Sequence, residues 1–296
     1  MTTEGTPDRD LTEQILHGPA YRLAYEDPDF LAEDDLRPVR LQLELVKPER
    51  ALRTQAIHST VVVFGSARIL APDVAEQRLQ EARAHHRGDP AAEQRVLEAE
   101  RRVHWSRYYA QARRFSELVS RQFQQAGRRD FVVVTGGGPG VMEAANRGAF
   151  DVGARSAGLN VTLPSEQMPN PFITPDLAFR FHYFAIRKMH FLMRARALVA
   201  FPGGYGTLDE LFEVLTLVQT GKMQRLPIVL FGREFWSRAI DFDFLVAEGM
   251  IAPQDRDFFS FVETAEQAVS VLKDFYGGQP PKEPVSVQGH DMKGGI

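Results

Sequence analysis

The 296-residue chain has an ordinary globular composition, 44% hydrophobic and 25% charged, with a formal net charge of −4 and no cysteine. That length means one large domain or two small ones, the acidic balance argues against an extended nucleic-acid footprint, and the lack of cysteine removes disulfides, thiolate metal sites and cysteine nucleophiles together. No apolar run approaches the ~18 residues of a membrane span, and the first eight residues have neither the basic nor the apolar region of a secretory signal, so a cytoplasmic protein is expected.

Residues 1–56 read as an N-terminal extension with short helices, and the acidic run from Glu26 to Asp35 as a solvated face. Val61–Phe64 is the first buried strand, and Gly65-Ser66-Ala67-Arg68 is the small-residue turn after it. Asp73 to Gly127 should form two helices broken at Gly88-Asp89-Pro90. In the second, Tyr108, Ala112, Phe115, Val119 and Phe123 recur at three- and four-residue intervals and make one apolar face for a sheet. Phe131–Thr135 is the next strand, Gly136–Gly140 the next glycine turn and Val141–Val152 its helix. Ala157–Leu163 is a third strand, Pro164–Pro175 a proline-rich loop, Phe179–Phe184 an aromatic run, and Ala185–Arg196 a helix.

Ala197–Phe201 is a strand that meets the turn Pro202-Gly203-Gly204-Tyr205-Gly206, and Thr207–Gly221 continues as a helix. Pro227–Phe231 (strand), Phe235–Glu248 (helix), Phe258–Val262 (short strand) and Ala265–Tyr276 (helix) complete a core domain of residues 57–276. Residues 277–296, rich in glycine and proline, are expected to be a disordered tail. Continuous apolar strands alternating with helices predict an α/β fold, a Rossmann-like doubly wound parallel sheet in a single domain with a helical N-terminal extension. Ligands of such sheets bind beyond the carboxyl ends of the strands, the edge that carries all three glycine turns.

A glycine turn opening a helix presents unpartnered N–H groups at the positive end of the helix dipole, which suits a phosphate. None of the turns ends in the Gly-Lys-Ser/Thr of a Walker loop. The dinucleotide fingerprint fails as well, because its sixth position is Val141 counting from Gly136 and Asp209 counting from Gly204. A mononucleotide or sugar phosphate is favoured over NAD or ATP. Arg187-Lys188 precede the strand, and Glu210 lies in the first turns of the following helix. Thr207-x-x-Glu210 also fits a capping box, a purely structural role.

Pro202-Gly-Gly-Tyr-Gly-Thr-Leu-Asp-Glu210, with Arg187-Lys188 and Gly136-Gly-Gly-Pro-Gly-Val-Met142, resembles the LOG family of cytokinin riboside 5'-monophosphate phosphoribohydrolases, proteins often mislabelled "lysine decarboxylase". The likeness runs from about Thr60 to Tyr276. The segment 73–102 and both termini lie outside the short family members, and the loop 164–175 looks like a longer bacterial branch. The resemblance implies hydrolysis of the N-glycosidic bond of a nucleoside 5'-monophosphate, either a cytokinin riboside monophosphate or AMP, to free base and ribose 5-phosphate, with no cofactor and no metal. It assigns Arg187 and Glu210 as the catalytic pair. Gly203, Gly204, Tyr205, Gly206 and Thr207 would hold the phosphate, and Gly137, Gly138 and Met142 would wall the nucleoside. Ser66, Lys188 and Glu166 are further substrate contacts. A homodimer or higher homo-oligomer that binds neither nucleic acid nor membrane is implied too. A non-catalytic carrier of a phosphorylated ligand, like the molybdenum cofactor carriers, stays open as the alternative.

Overall fold

The computed structural model describes residues 9–85, 90–125, 127–162 and 168–281. The chain divides into two compact units, residues 1–47 and 48–296. In the first, α1 (Arg9–His17) and α2 (Pro28–Ala32) are joined by single helical turns, and α3 (Arg37–Thr54) begins. Asp27 caps α2 by accepting from the N–H groups of Asp29 and Phe30. Arg40 Nη1 ties the segment together by donating to the carbonyls of Leu31 and Glu33. None of residues 10–47 is buried.

The second unit is built on a parallel sheet. After β1 (Thr60–Phe64) come α4 (Pro72–Ala84), α5 (Pro90–Phe123) and a two-residue-a-side hairpin, β2 (Gln124–Gln125) with β3 (Arg128–Arg129). Then follow β4 (Val132–Thr135), α6 (Val141–Phe150), β5 (Ser156–Val161), β6 (Ala178–Phe181), α7 (Phe184–Met193), β7 (Ala195–Ala200) and α8 (Tyr205–Gln219). β8 (Ile228–Phe231), α9 (Arg233–Ala239), α10 (Phe242–Ala247), β9 (Phe259–Val262) and α11 (Ala265–Phe275) close the unit.

Among the described residues the sheet has seven strands in the order β6-β5-β4-β1-β7-β8-β9, and every neighbouring pair is parallel. The chain therefore builds outward from β1 on one side and returns to build outward on the other, the doubly wound Rossmann-like arrangement. Its switch point lies at β1, between β4 and β7. Side chains alternate across the pleat, so Val61, Val63, Val133 and Val199 pack under α5, α6 and α11. Val62, Phe64, Val134 and Leu198 pack against Phe191 of α7 and Leu211 and Val214 of α8. Both faces are covered, which is why the strands read as unbroken apolar runs.

Three elements differ from the sequence expectation. The aromatic run at 179–184 contains an edge strand, β6, whose residues alternate exposed and buried. Phe179 and Phe181 face the core while Arg180 faces out, a half-buried strand where the sequence analysis assigned no element. The expected single helix 235–248 is two, because Asp241 leaves the helical conformation and its side chain accepts from Phe244 N to start α10. The capping box fails too: α8 begins at Tyr205 with Gly204 as its cap residue, so Thr207 is already the third helical residue.

Candidate active site

Because β4, β1 and β7 are neighbours, the turns that follow them meet beyond their carboxyl ends. Backbone bonds stitch the three turns together: Phe201 N donates to Phe64 O at 2.8 Å, Ser66 N to Pro202 O at 3.0 Å, and Val141 N to Ser66 O at 3.2 Å. They enclose a cavity of about 590 Å³, within the range of small-molecule sites.

One wall is the start of α8. Gly204 has no side chain to cap the helix, and its carbonyl accepts from both Thr207 N and Leu208 N at 3.0 Å. The N–H groups of Gly204, Tyr205 and Gly206 have no acceptor among the described residues, and all three residues line the cavity. Gly203 has no room for a side chain, since a Cβ there would stand 2.6 Å from Thr207 Cβ. The turn can close over buried Thr207 only with glycine at this position.

Glu210 lies farther along the same helix, is only 4% exposed, and reaches the cavity. Burial pushes its carboxyl up to about 7; Lys188 and Arg187 counter this, while Glu213 and Asp209 add to it. Arg187 faces it from α7. Its guanidinium packs against the rings of Phe184 and Phe191, at 5.2 and 5.1 Å, and its Nε donates to Leu159 O at 2.8 Å. Burial lowers the arginine's proton affinity and Glu210 raises it, with burial prevailing. No ion pair joins the two side chains, so each keeps polar atoms for a ligand. Gly136 makes room for this arginine: a Cβ there would lie 2.9 Å from Arg187 Nη2 and 2.8 Å from Met142 Sδ.

The other residues singled out in the sequence fall into three groups. Ser66 and Met142 line the cavity. Lys188 does not: its Nζ is held by Asp209 at 2.9 Å and Glu213 at 3.0 Å, bonds that outweigh burial and raise its proton affinity. Gly137 and Gly138 also stand off the cavity, with their carbonyls taken by the backbone N and the side-chain Nδ2 of Asn170. Glu166 lies outside the described residues.

Sequence reasoning passed over the group that fixes the Gly136–Gly140 turn. Buried Asn146 accepts from Thr135 Oγ1 at 2.7 Å and from Asn170 Nδ2 at 3.0 Å, and donates to Ser156 Oγ at 3.0 Å; Thr135 Oγ1 also accepts from Gly137 N at 3.0 Å. The available signal was an asparagine on the apolar, alanine-rich face of α6. Arg68, Phe184 and Leu208 also line the cavity, but the residue types alone do not distinguish them from ordinary surface and core positions.

Fold and site together define a doubly wound α/β protein whose switch-point cleft joins an uncapped helix start to a half-buried arginine and a buried glutamate. A family model described as "Possible lysine decarboxylase" matches residues 142–272. The chain is 32% identical over 165 residues to cytokinin riboside 5'-monophosphate phosphoribohydrolase LOG1 of Arabidopsis thaliana, covering 54% of this chain and 72% of that protein. It is 34% identical over 123 residues to the pyrimidine/purine nucleotide 5'-monophosphate nucleosidase of Escherichia coli (strain K12), covering 36% of this chain and 26% of that one. Among solved structures, a molybdenum cofactor binding protein from Rippkaea orientalis matches with a TM-score of 0.41 at 16% identity, over 74% of this chain and 96% of that chain. The chain belongs to the LOG family. Among the described residues no helix is long and apolar enough to cross a membrane.

Proposed function

We propose that the protein hydrolyses the N-glycosidic bond of a purine nucleoside 5'-monophosphate, releasing free base and ribose 5-phosphate. The observation that carries this reading is Glu210, a buried carboxylate with a pKa of about 7, on the helix whose start presents three N–H groups without an acceptor among the described residues. The phosphate sits at the start of α8, held by the N–H groups of Gly204, Tyr205 and Gly206 and by the helix dipole. Ser66 closes this end from the β1 turn.

Cleavage develops positive charge on the sugar, and an ionised carboxylate close to C1' stabilises it. A group that titrates near neutrality is also matched to taking a proton from the attacking water. Arg187, rigid between two rings and without an ion-pair partner, orients the nucleotide through its fork of donors. Met142 and Phe184 give the base an apolar surface. The names of the relatives point to the same reaction class, on cytokinin riboside monophosphate and on pyrimidine and purine nucleotides. Hydrolysis is favoured over simple carriage of a phosphorylated ligand because a carboxylate kept dry beside the anion site weakens anion binding and is useful only to chemistry.

The test is incubation with AMP and isopentenyladenosine monophosphate, following free base by chromatography. The expected result is base release from at least one of them, lowered at least 100-fold in Glu210→Gln. No release from any common nucleoside monophosphate, or unchanged release in the variant, overturns the reading.

A further inference from the structure

The β1 turn has a cavity on each side. Ser66, Ala67 and Arg68 line the catalytic cleft and also a second cavity of about 700 Å³. The glycine turn after β7 is shared in the same way, with Pro202 and Gly203 on the second cavity and Gly204 onward on the first. The far wall comes from α4 and α5, which lie outside the residues matched by the family model. It carries Arg78, Arg101 and Arg102, and Trp105 and Phe235 meet edge to face at 5.8 Å at its apolar end.

The charges in this cavity are unbalanced. Four arginines, Arg68, Arg78, Arg101 and Arg102, line it with one carboxylate, Glu98, which accepts from Gln94 Nε2 at 3.4 Å. Other arginines on the same two helices are paired: Arg83 with Glu100, Arg113 with Asp151, Arg114 with Glu117 and Glu266. None of the four cavity arginines makes an ion pair among the described residues. All four are solvent-exposed, and in a chain of net charge −4 they give this space a local positive field that draws anions. Guanidinium forks are matched in shape to phosphate oxygens.

We propose that this second cavity receives the part of a nucleotide beyond its 5'-phosphate, so that a nucleoside 5'-diphosphate binds across both cavities. This rests on the reading of the α8 start as the phosphate cradle. The cradle residues Gly204, Tyr205 and Gly206 line the first cavity, and Ser66, Ala67 and Arg68 are common to both; a group attached to the phosphate on the side away from the sugar would pass that turn to reach the arginines.

The test uses the full chain, calorimetric titration with AMP and ADP, and competition between them. ADP should bind at least 10-fold more tightly than AMP and displace it. In Arg101→Gln/Arg102→Gln the ADP advantage should fall at least 10-fold, while kcat and KM for AMP stay within twofold. Arg78→Gln, on the other helix, should weaken ADP in the same direction. Equal affinity for the two nucleotides, an ADP affinity indifferent to these substitutions, or ADP that binds without displacing AMP each overturns the proposal. Because binding is read directly, the two proposals fail separately. Arginine-dependent ADP binding that displaces AMP, with no base released from any nucleotide, removes the hydrolase and keeps the diphosphate site.

Discussion

One helix and the residue that caps it carry two arginines seven positions apart, and each faces a glutamate. Arg194, just past the end of α7, meets Glu49 as a two-pronged fork, Nε to Oε1 at 3.1 Å and Nη2 to Oε2 at 2.9 Å, and its Nη1 donates to Ile57 O. The bond from Arg194 holds Glu49 below the usual carboxylate range despite its burial. Arg187 spends its Nε on a backbone carbonyl and makes no ion pair with Glu210, whose carboxyl rises to about 7. The residue types are the same, and the opposite shifts come from the deeper burial of Glu210 and from whether the fork closes on its carboxylate. A closed fork is architecture. An open one leaves a costly carboxylate available for chemistry.

The comparison can be broken most sharply at Glu210. In Glu210→Gln, kcat for base release should fall by about 10²–10⁴, the usual span for a lost acid–base group. The wild-type rate should fall with an acid limb near pH 7, as the carboxylate that must be ionised becomes protonated. A flat profile between pH 6 and 8 contradicts that role.

The same substitution should stabilise the fold. A carboxyl whose pKa is raised on folding, from 4.5 to about 7, favours the folded state fully below 4.5 and loses that contribution as pH rises through 7. Glu210→Gln should therefore gain on the order of 3 kcal/mol at pH 8, shrinking as the pH approaches 5, measured by denaturant unfolding at both pH values. Glu49→Gln should do the reverse. Its carboxyl is held low, so its contribution is present above 4.5 and is lost as the pH falls through its folded value. Loss of the fork should cost about 1.5–3 kcal/mol at pH 7 and leave the pH dependence of the rate unchanged. The smallest effect belongs to Lys188→Met. Removing a cation that holds Glu210 down should move the acid limb upward without abolishing turnover.

Much of this was legible in the sequence because glycine and long apolar runs are local signals. The three turns, their strands and the order of the helices follow from residues that can do little else. The arginine and glutamate were legible only as a pattern, and their environment was not. The capping-box reading of Thr207 and Glu210 was locally sound, but it assumed a helix start three residues late. At the actual start, Gly203 sits tight on Thr207, which is already inside the helix. β6 was hidden because it is only four residues long, too short for its alternation to separate it from the rest of the aromatic run. The Asn146 network and the second cavity join residues 10 to more than 100 positions apart, such as Asn146 with Ser156 and Trp105 with Phe235, and no periodicity announces such pairings.

Gly204 caps α8 and Glu210 lies six residues beyond it, a separation of about 9 Å along the axis, and helical side chains lean back toward the N-terminus. The anchor for the phosphate and the carboxylate therefore stand on a single rigid rod, and no hinge lies between them. In the proposed reaction that rod acts as a gauge. It accepts a molecule by the span from its phosphate to its glycosidic carbon, before any contact with the base is made. A nucleoside phosphorylated at the 3' position, with the same base and charge, presents the wrong span and leaves its glycosidic bond out of register with Glu210.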